Sequence, residues 1–129
     1  MIAPLITMGF VALGGAVGAM ARYGVNISAT HVFGHGFPWG TLIVNILGSF
    51  LMGVAIVKFS QIHISQEFKT MIITGFLGAF TTFSTFSLDA VTLWERGEML
   101  HAFLYVTASV IISISALFLA MWLLKGSTL

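Results

Sequence analysis

Residues 75–87 read Gly75-Phe76-Leu77-Gly78-Ala79-Phe80-Thr81-Thr82-Phe83-Ser84-Thr85-Phe86-Ser87. Five hydroxyl residues crowd into the last seven positions, where they compete for backbone hydrogen bonds. Two glycines just before them lower helix propensity. The flanking apolar residues extend the segment to about 68–94, long enough to cross a bilayer. The stretch therefore predicts a membrane helix with a break near 78–82. A break at membrane depth frees carbonyls and N–H groups, and such backbone is tolerated only where it is buried or lines a cavity. The competing reading is a continuous helix whose hydroxyls bond back to carbonyls one turn earlier.

The rest of the chain fits the same solvent. Of 129 residues, 58% are hydrophobic and 7% charged, against roughly a quarter charged in soluble domains. Three more apolar runs, at about 4–23, 39–58 and 100–124, make four spans of one all-α transmembrane domain. The runs are too long and too uniform for alternating barrel strands. Cysteine is absent, which excludes disulfides and cysteine metal sites or nucleophiles, and a net charge of +1 gives no nucleic-acid footprint. Ala19-Met20-Ala21 has the small-x-small form of a signal cleavage site, but no Lys or Arg precedes the long apolar run, so retention of the first span is expected.

Four spans put both termini on one side. That side carries Lys58, Lys69 and Lys125, and the other carries Arg22 and Arg96. So small an excess permits insertion in both orientations, and two copies could pair antiparallel. One four-helix chain is also too thin to enclose a wide aqueous route.

Polar residues recur at helical spacing. Thr41, Asn45 and Ser49 form one stripe on the second span beside Gly48. The Asn45 amide offers two N–H donors that an anion could accept, or it makes a helix-to-helix hydrogen bond. Tyr105, Ser109 and Ser113 form a second stripe on the fourth span. Phe76, Phe80, Phe83 and Phe86 recur at the spacing of a packing face, but Phe83 and Phe86 alternate with hydroxyls, Ser84 among them. A ring edge is positive and can face an anion. On the first span, Gly14 and Gly18 have the GxxxG spacing of close helix approach, and Arg22 near its end reads as a headgroup anchor or a residue drawing anions to a vestibule. Asp89 follows the polar segment and is given no transport role. His31 and His35 lie four apart with no nearby carboxylate or cysteine, which disfavours a metal site. No nucleophile triad, carboxylate pair or phosphate loop is present, which disfavours an enzyme.

Gly40-Thr41-Leu42-Ile43-Val44-Asn45 with Gly48, and Gly75-Phe76-Leu77-Gly78 followed by Thr81 to Ser87, resemble the second- and third-helix motifs of the Fluc (CrcB) family of bacterial fluoride channels. Length, span number and the Arg22 position agree across essentially the whole chain. The resemblance implies an antiparallel, dual-topology homodimer in the bacterial cytoplasmic membrane, with two fluoride pores along the subunit interface. Asn45 would be the pore amide and Phe83 and Phe86 would present ring edges. Thr41, Ser84, Tyr105, Ser109 and Ser113 would complete the fluoride pathway, with Arg22 at the vestibule. The carbonyls of Gly78 and Thr81 from both subunits would hold a structural sodium ion, a hard cation suited to oxygen ligands.

The function implied is passive fluoride export. A rival reading, a dual-topology small multidrug transporter, needs a membrane-embedded carboxylate in the first span, and Met1 to Tyr23 contains none. A further rival is a non-transporting assembly subunit whose glycines and hydroxyls serve only helix packing.

Overall fold

The computed structural model describes residues 2–126, which are helical apart from short connections. The elements are α1 (Ile2–Phe33), α2 (Trp39–Gln61), α3 (66–80), α4 (Ser84–Glu95) and α5 (Met99–Gly126). With α3 and α4 taken as one broken span, four helices are long and apolar enough to cross a membrane, and among the described residues there is no strand.

The first helix departs most from its expected bounds. It runs to Phe33, ten residues past the expected end, and at 1.5 Å per residue is about 48 Å long. The polar residues expected to form a connection stay helical because each finds a place. Ser28 Oγ bonds back to the Gly24 carbonyl at 2.9 Å, Asn26 packs under Gly40, and Ala29 is buried. The stop comes at Gly34, whose φ of +82° only glycine adopts readily and whose N–H bonds to the Thr30 carbonyl at 2.8 Å. Arg22 therefore sits well inside its helix rather than at the end. The basic residues of that end of the bundle reduce to Arg96 in the turn after α4.

α3 starts at a capped N-terminus, where Ser65 Oγ accepts from the Phe68 N–H at 3.2 Å and Glu67 occupies the first turn. Its middle, Met71–Leu77, is π-helical, a form the sequence reading did not anticipate. The same stretch lies in close backbone contact with α1. A methyl group at Gly14 or Gly18 of α1 would strike the carbonyl of Met71 or Phe76, and one at Gly75 would lie 2.8 Å from the Val11 carbonyl. The GxxxG face of α1 thus meets α3.

The helix breaks at Thr81–Phe83. Thr81 is extended (φ −86°, ψ 161°), and helical geometry resumes at Phe83 (φ −93°, ψ −36°). The break expected near 78–82 is present with its centre slightly later, and the continuous-helix alternative is excluded. Past it the chain changes neighbours, since α3 packs on α1 whereas α4 packs on α5. α2 lies between, with its most extensive contact on α5. Leu42, Leu93, Ala102 and Tyr105 form the buried cluster joining α2, α4 and α5, while Phe103, Ile111, Ile114 and Phe118 of α5 face outward.

Candidate functional site: a polar groove at the helix break

The site is assembled by one side chain reading the broken backbone. Asn45 Nδ2 donates to the Thr82 carbonyl at 3.0 Å, and the Thr82 N–H donates to Asn45 Oδ1 at 2.8 Å. This two-point clip explains how an amide and an unravelled turn coexist at membrane depth, because each satisfies the other. It also uses one of the two Nδ2 hydrogens and leaves the second. The helix-to-helix reading of Asn45 is therefore present, and the donor reading retains one N–H.

The clip has a consequence for two carbonyls. In an unbroken helix the N–H of Thr82 would go to the Gly78 carbonyl and that of Thr85 to the Thr81 carbonyl. Here the first goes to Asn45 and the second to Thr82 Oγ1 at 3.1 Å, so both carbonyls lose their helical partners. The Thr81 N–H and Oγ1 turn back together to the Leu77 carbonyl, at 3.0 and 2.9 Å. Close approach of α2 to this turn depends on Gly48, where a methyl group would strike the Thr81 side chain.

Beside the clip lies an open groove of about 330 Å³. Asn45 and Ser49 border it from α2, Gly78, Thr81 and Thr82 from the break, Phe83 and Phe86 from the start of α4, and Ser109 and Ser113 from α5. Three separately predicted polar or aromatic stripes meet here. The oxygens Ser109 Oγ and Ser113 Oγ are buried and have no hydrogen-bond partner among the described residues. Buried hydroxyls are ordinarily paired, so two partnerless ones in one groove mark a place where something polar belongs. At the lip, Phe83 is 78% exposed and its ring stands 5.6 Å from that of Phe86, which in turn stands 5.3 Å from Tyr105.

Other predicted site residues lie apart from the groove. Tyr105 is fully buried and its hydroxyl donates to Asp89 Oδ2 at 2.9 Å, so it is not a free member of the donor stripe. Thr41 is buried and borders a different cavity. Ser84 is exposed, with Oγ 3.5 Å from Thr82 Oγ1. Arg22 turns inward, placing Nη1 3.4 Å from Thr85 Oγ1. This corrects its expected place at the helix end, because α1 continues for three further turns and carries the guanidinium past the break. His31 and His35 join no group of metal-ligating side chains among the described residues.

Sequence reasoning passed over Thr82, which supplies the other half of the clip, and the Asp89–Tyr105 bond. A signal for the second was available. Asp89 and Tyr105 are equidistant from Gly97, the positive-φ residue of the turn joining α4 to α5, so an antiparallel hairpin must bring them level.

Residues 9–121 match the family described as CrcB-like protein, Camphor Resistance (CrcB). The chain is 49% identical to the fluoride-specific ion channel FluC of Mesorhizobium japonicum, over 90% of this chain and 94% of that protein. It is 51% identical to the FluC of Cereibacter sphaeroides, over 90% and 92% respectively. The FluC of Acidithiobacillus ferrooxidans is 45% identical, over 91% and 94%. With four spans, a clipped break and this breadth of match, the chain belongs to the CrcB family.

Proposed function

We propose that this multi-pass membrane protein is a fluoride-selective channel that lets fluoride leave the cytoplasm down its electrochemical gradient, in the inner membrane of a bacterium. The observation that carries the reading is the pair of partnerless hydroxyls, Ser109 and Ser113, bordering the same groove as Asn45, whose amide keeps a second N–H. Fluoride is small and strongly hydrated, so a route must replace its water with close donors and still release it. A line of neutral donors does this without the trap that a buried Lys or Arg would make. Phe83 and Phe86 stand at the same groove, where positive ring edges can add to the donors. Thr41 and Ser84 extend the pathway beyond the groove, Tyr105 supports it through its ring against Phe86 because its hydroxyl is committed to Asp89, and Arg22 draws anions toward it.

The groove is open along the lip that carries Phe83, and a large aromatic residue this exposed beside polar donors needs a cover other than lipid alone. The cover proposed is a second, antiparallel copy within the lipid bilayer, giving a dual-topology homodimer with two pores. With Arg22 inside its helix, Lys58, Lys69 and Lys125 at one end face Arg96 at the other, and a difference of two basic residues still supports insertion in both orientations.

A structural sodium ion fits the same arrangement. The Gly78 and Thr81 carbonyls have lost their helical N–H partners and both border the groove, which makes them oxygens available to a hard cation. Together with the same two carbonyls of the second copy they would hold the ion at the dimer centre. When bound, sodium supplies a fixed positive charge between the two breaks.

Against a multidrug-transporter reading, α1 holds no carboxylate, and Asp89 is occupied by Tyr105. The test is efflux from liposomes containing the purified protein, followed with a fluoride electrode and with a chloride control. Fluoride release without chloride release is expected. No flux of either ion would leave an assembly subunit as the reading. Replacing sodium on both sides by N-methylglucamine should slow fluoride release, and an unchanged rate would remove sodium from the proposal.

A further inference from the structure

A second cavity, of about 280 Å³, opens toward the turns that join α1 to α2 and α4 to α5. It shares no bordering residue with the groove. One wall is a single polar stripe of α4, Thr85, Asp89, Thr92 and Arg96, which recur at alternating steps of four and three and so lie on one face. The opposite wall is the polar end of α1, with Asn26 and Thr30. That end exists only because α1 continues to Phe33.

The stripe continues directly into the groove. Thr82, in the non-helical turn just before α4, borders the groove, and its Oγ1 accepts the Thr85 N–H at 3.1 Å. The Thr85 hydroxyl at the inner end of the second cavity meets the Arg22 guanidinium at 3.4 Å. Arg96 stands at the outer end, exposed, and its side chain has neither an ion pair nor a hydrogen bond among the described residues. The cavity thus presents threonine hydroxyls and the Asn26 amide beside the Asp89 carboxylate, with Arg96 on its rim and the Arg22 guanidinium just beyond its inner end, and each cation attracts a small anion.

We infer that this cavity is the second mouth of the fluoride path, and that Arg96 on its rim is the residue that concentrates fluoride there. The inference rests on the channel reading above. Asp89 lies between the two arginines with its carboxylate bonded to the Tyr105 hydroxyl at 2.9 Å. A negative charge between two positive ones keeps either arginine from holding fluoride tightly, as conduction requires. Attraction to one unit charge at about 7 Å in water is close to RT, a factor of about three in local fluoride concentration.

The test is fluoride uptake into liposomes at one fixed low fluoride concentration, with isethionate setting the ionic strength at about 0.01 M or about 1 M. Arg96→Gln should slow uptake about threefold at the low ionic strength and leave it at the wild-type rate at the high one, where screening removes the charge. Arg96→Lys should match wild type at both. Lys58→Gln, which removes an exposed charge at the far end of α2, should change neither rate. An Arg96→Gln rate equal to wild type at low ionic strength overturns the inference. So does an equal loss at both ionic strengths, which marks a structural role, or the same loss in Lys58→Gln, which marks general surface charge. Failure of the wild-type protein to take up fluoride would instead overturn the channel reading itself.

Discussion

The two halves of the broken third span differ in how they are held. α3 is fixed by backbone, since the glycines of α1 and Gly75 let main chain meet main chain along a π-helical stretch. α4 is held by side chains, through the Asn45 clip at its start, Phe86 against Tyr105, Asp89 bonded to Tyr105, and Arg22 near Thr85. A backbone contact tolerates no added atom, whereas a side-chain contact can be tuned residue by residue. The first half thus anchors the break, and the second carries the chemistry that the break makes available.

The largest effect should come from violating the anchored half. Gly75→Val places atoms where even a Cβ is 2.8 Å from the Val11 carbonyl, and overpacking costs about 1–3 kcal/mol, at the upper end where the neighbour is backbone that cannot swing aside. No monodisperse protein is expected on size exclusion in detergent. Ser87→Ala is the matched change on α4, because among the described residues its hydroxyl bonds only to the nearby Phe83 carbonyl, at 2.9 Å, and it should fold as wild type. Equal tolerance of both substitutions would dissolve the contrast between the halves.

Next is the start of α4. Phe83 is 78% exposed, so Phe83→Ile removes little packing within the chain and should leave thermal stability close to wild type. Fluoride efflux should nonetheless fall nearly to that of protein-free liposomes. Asn45→Ala should also abolish flux, but it removes two hydrogen bonds of about 1 kcal/mol each and so must lower stability too. The split between the two variants separates an ion contact from a structural clip. Undiminished flux in Phe83→Ile would take the ring out of the path.

A smaller effect is expected at the two buried hydroxyls. Ser109→Ala and Ser113→Ala each delete a buried polar atom without a partner among the described residues, so neither should destabilise the protein. Each should slow fluoride efflux about fivefold, the value of one hydrogen bond of about 1 kcal/mol. A loss of melting temperature with undiminished flux would mean that these hydroxyls serve packing.

What could be read from the sequence divides along the same line. The break was legible because its cause is local, five hydroxyls after two glycines. The stripes of α2 and α5 were legible because helical periodicity is local as well. The extent of α1 was not, since Asn26, Ser28 and Thr30 look like a connection until Gly40 is seen to make room for Asn26. Asn45 carried both of its meanings in the sequence, and only the position of the Thr82 backbone shows that one amide serves the clip and keeps a donor. The gathering of Ser109, Ser113 and Phe83 at one groove likewise depends on how the turn at Gly97 folds α4 onto α5.

The smallest effect on flux should come from the bond that ties α4 to α5. Tyr105→Phe keeps the ring against Phe86 and removes only the hydroxyl, so fluoride efflux should fall modestly. A hydrogen bond to a charged group contributes about 1.5–3 kcal/mol, and its loss leaves a half-buried carboxylate without that donor. Asp89→Asn keeps an acceptor oxygen and should cost less. Because the two residues share one bond, the double variant should be less destabilised than the two single variants taken together. Hydrogen exchange locates the damage. If α4 is held by side chains and α3 by backbone, Tyr105→Phe should speed exchange of the amides of Ser84–Glu95 and leave those of Met71–Leu77 unchanged. Faster exchange in both segments would mean that the break transmits the loss, and that the two halves act as one element.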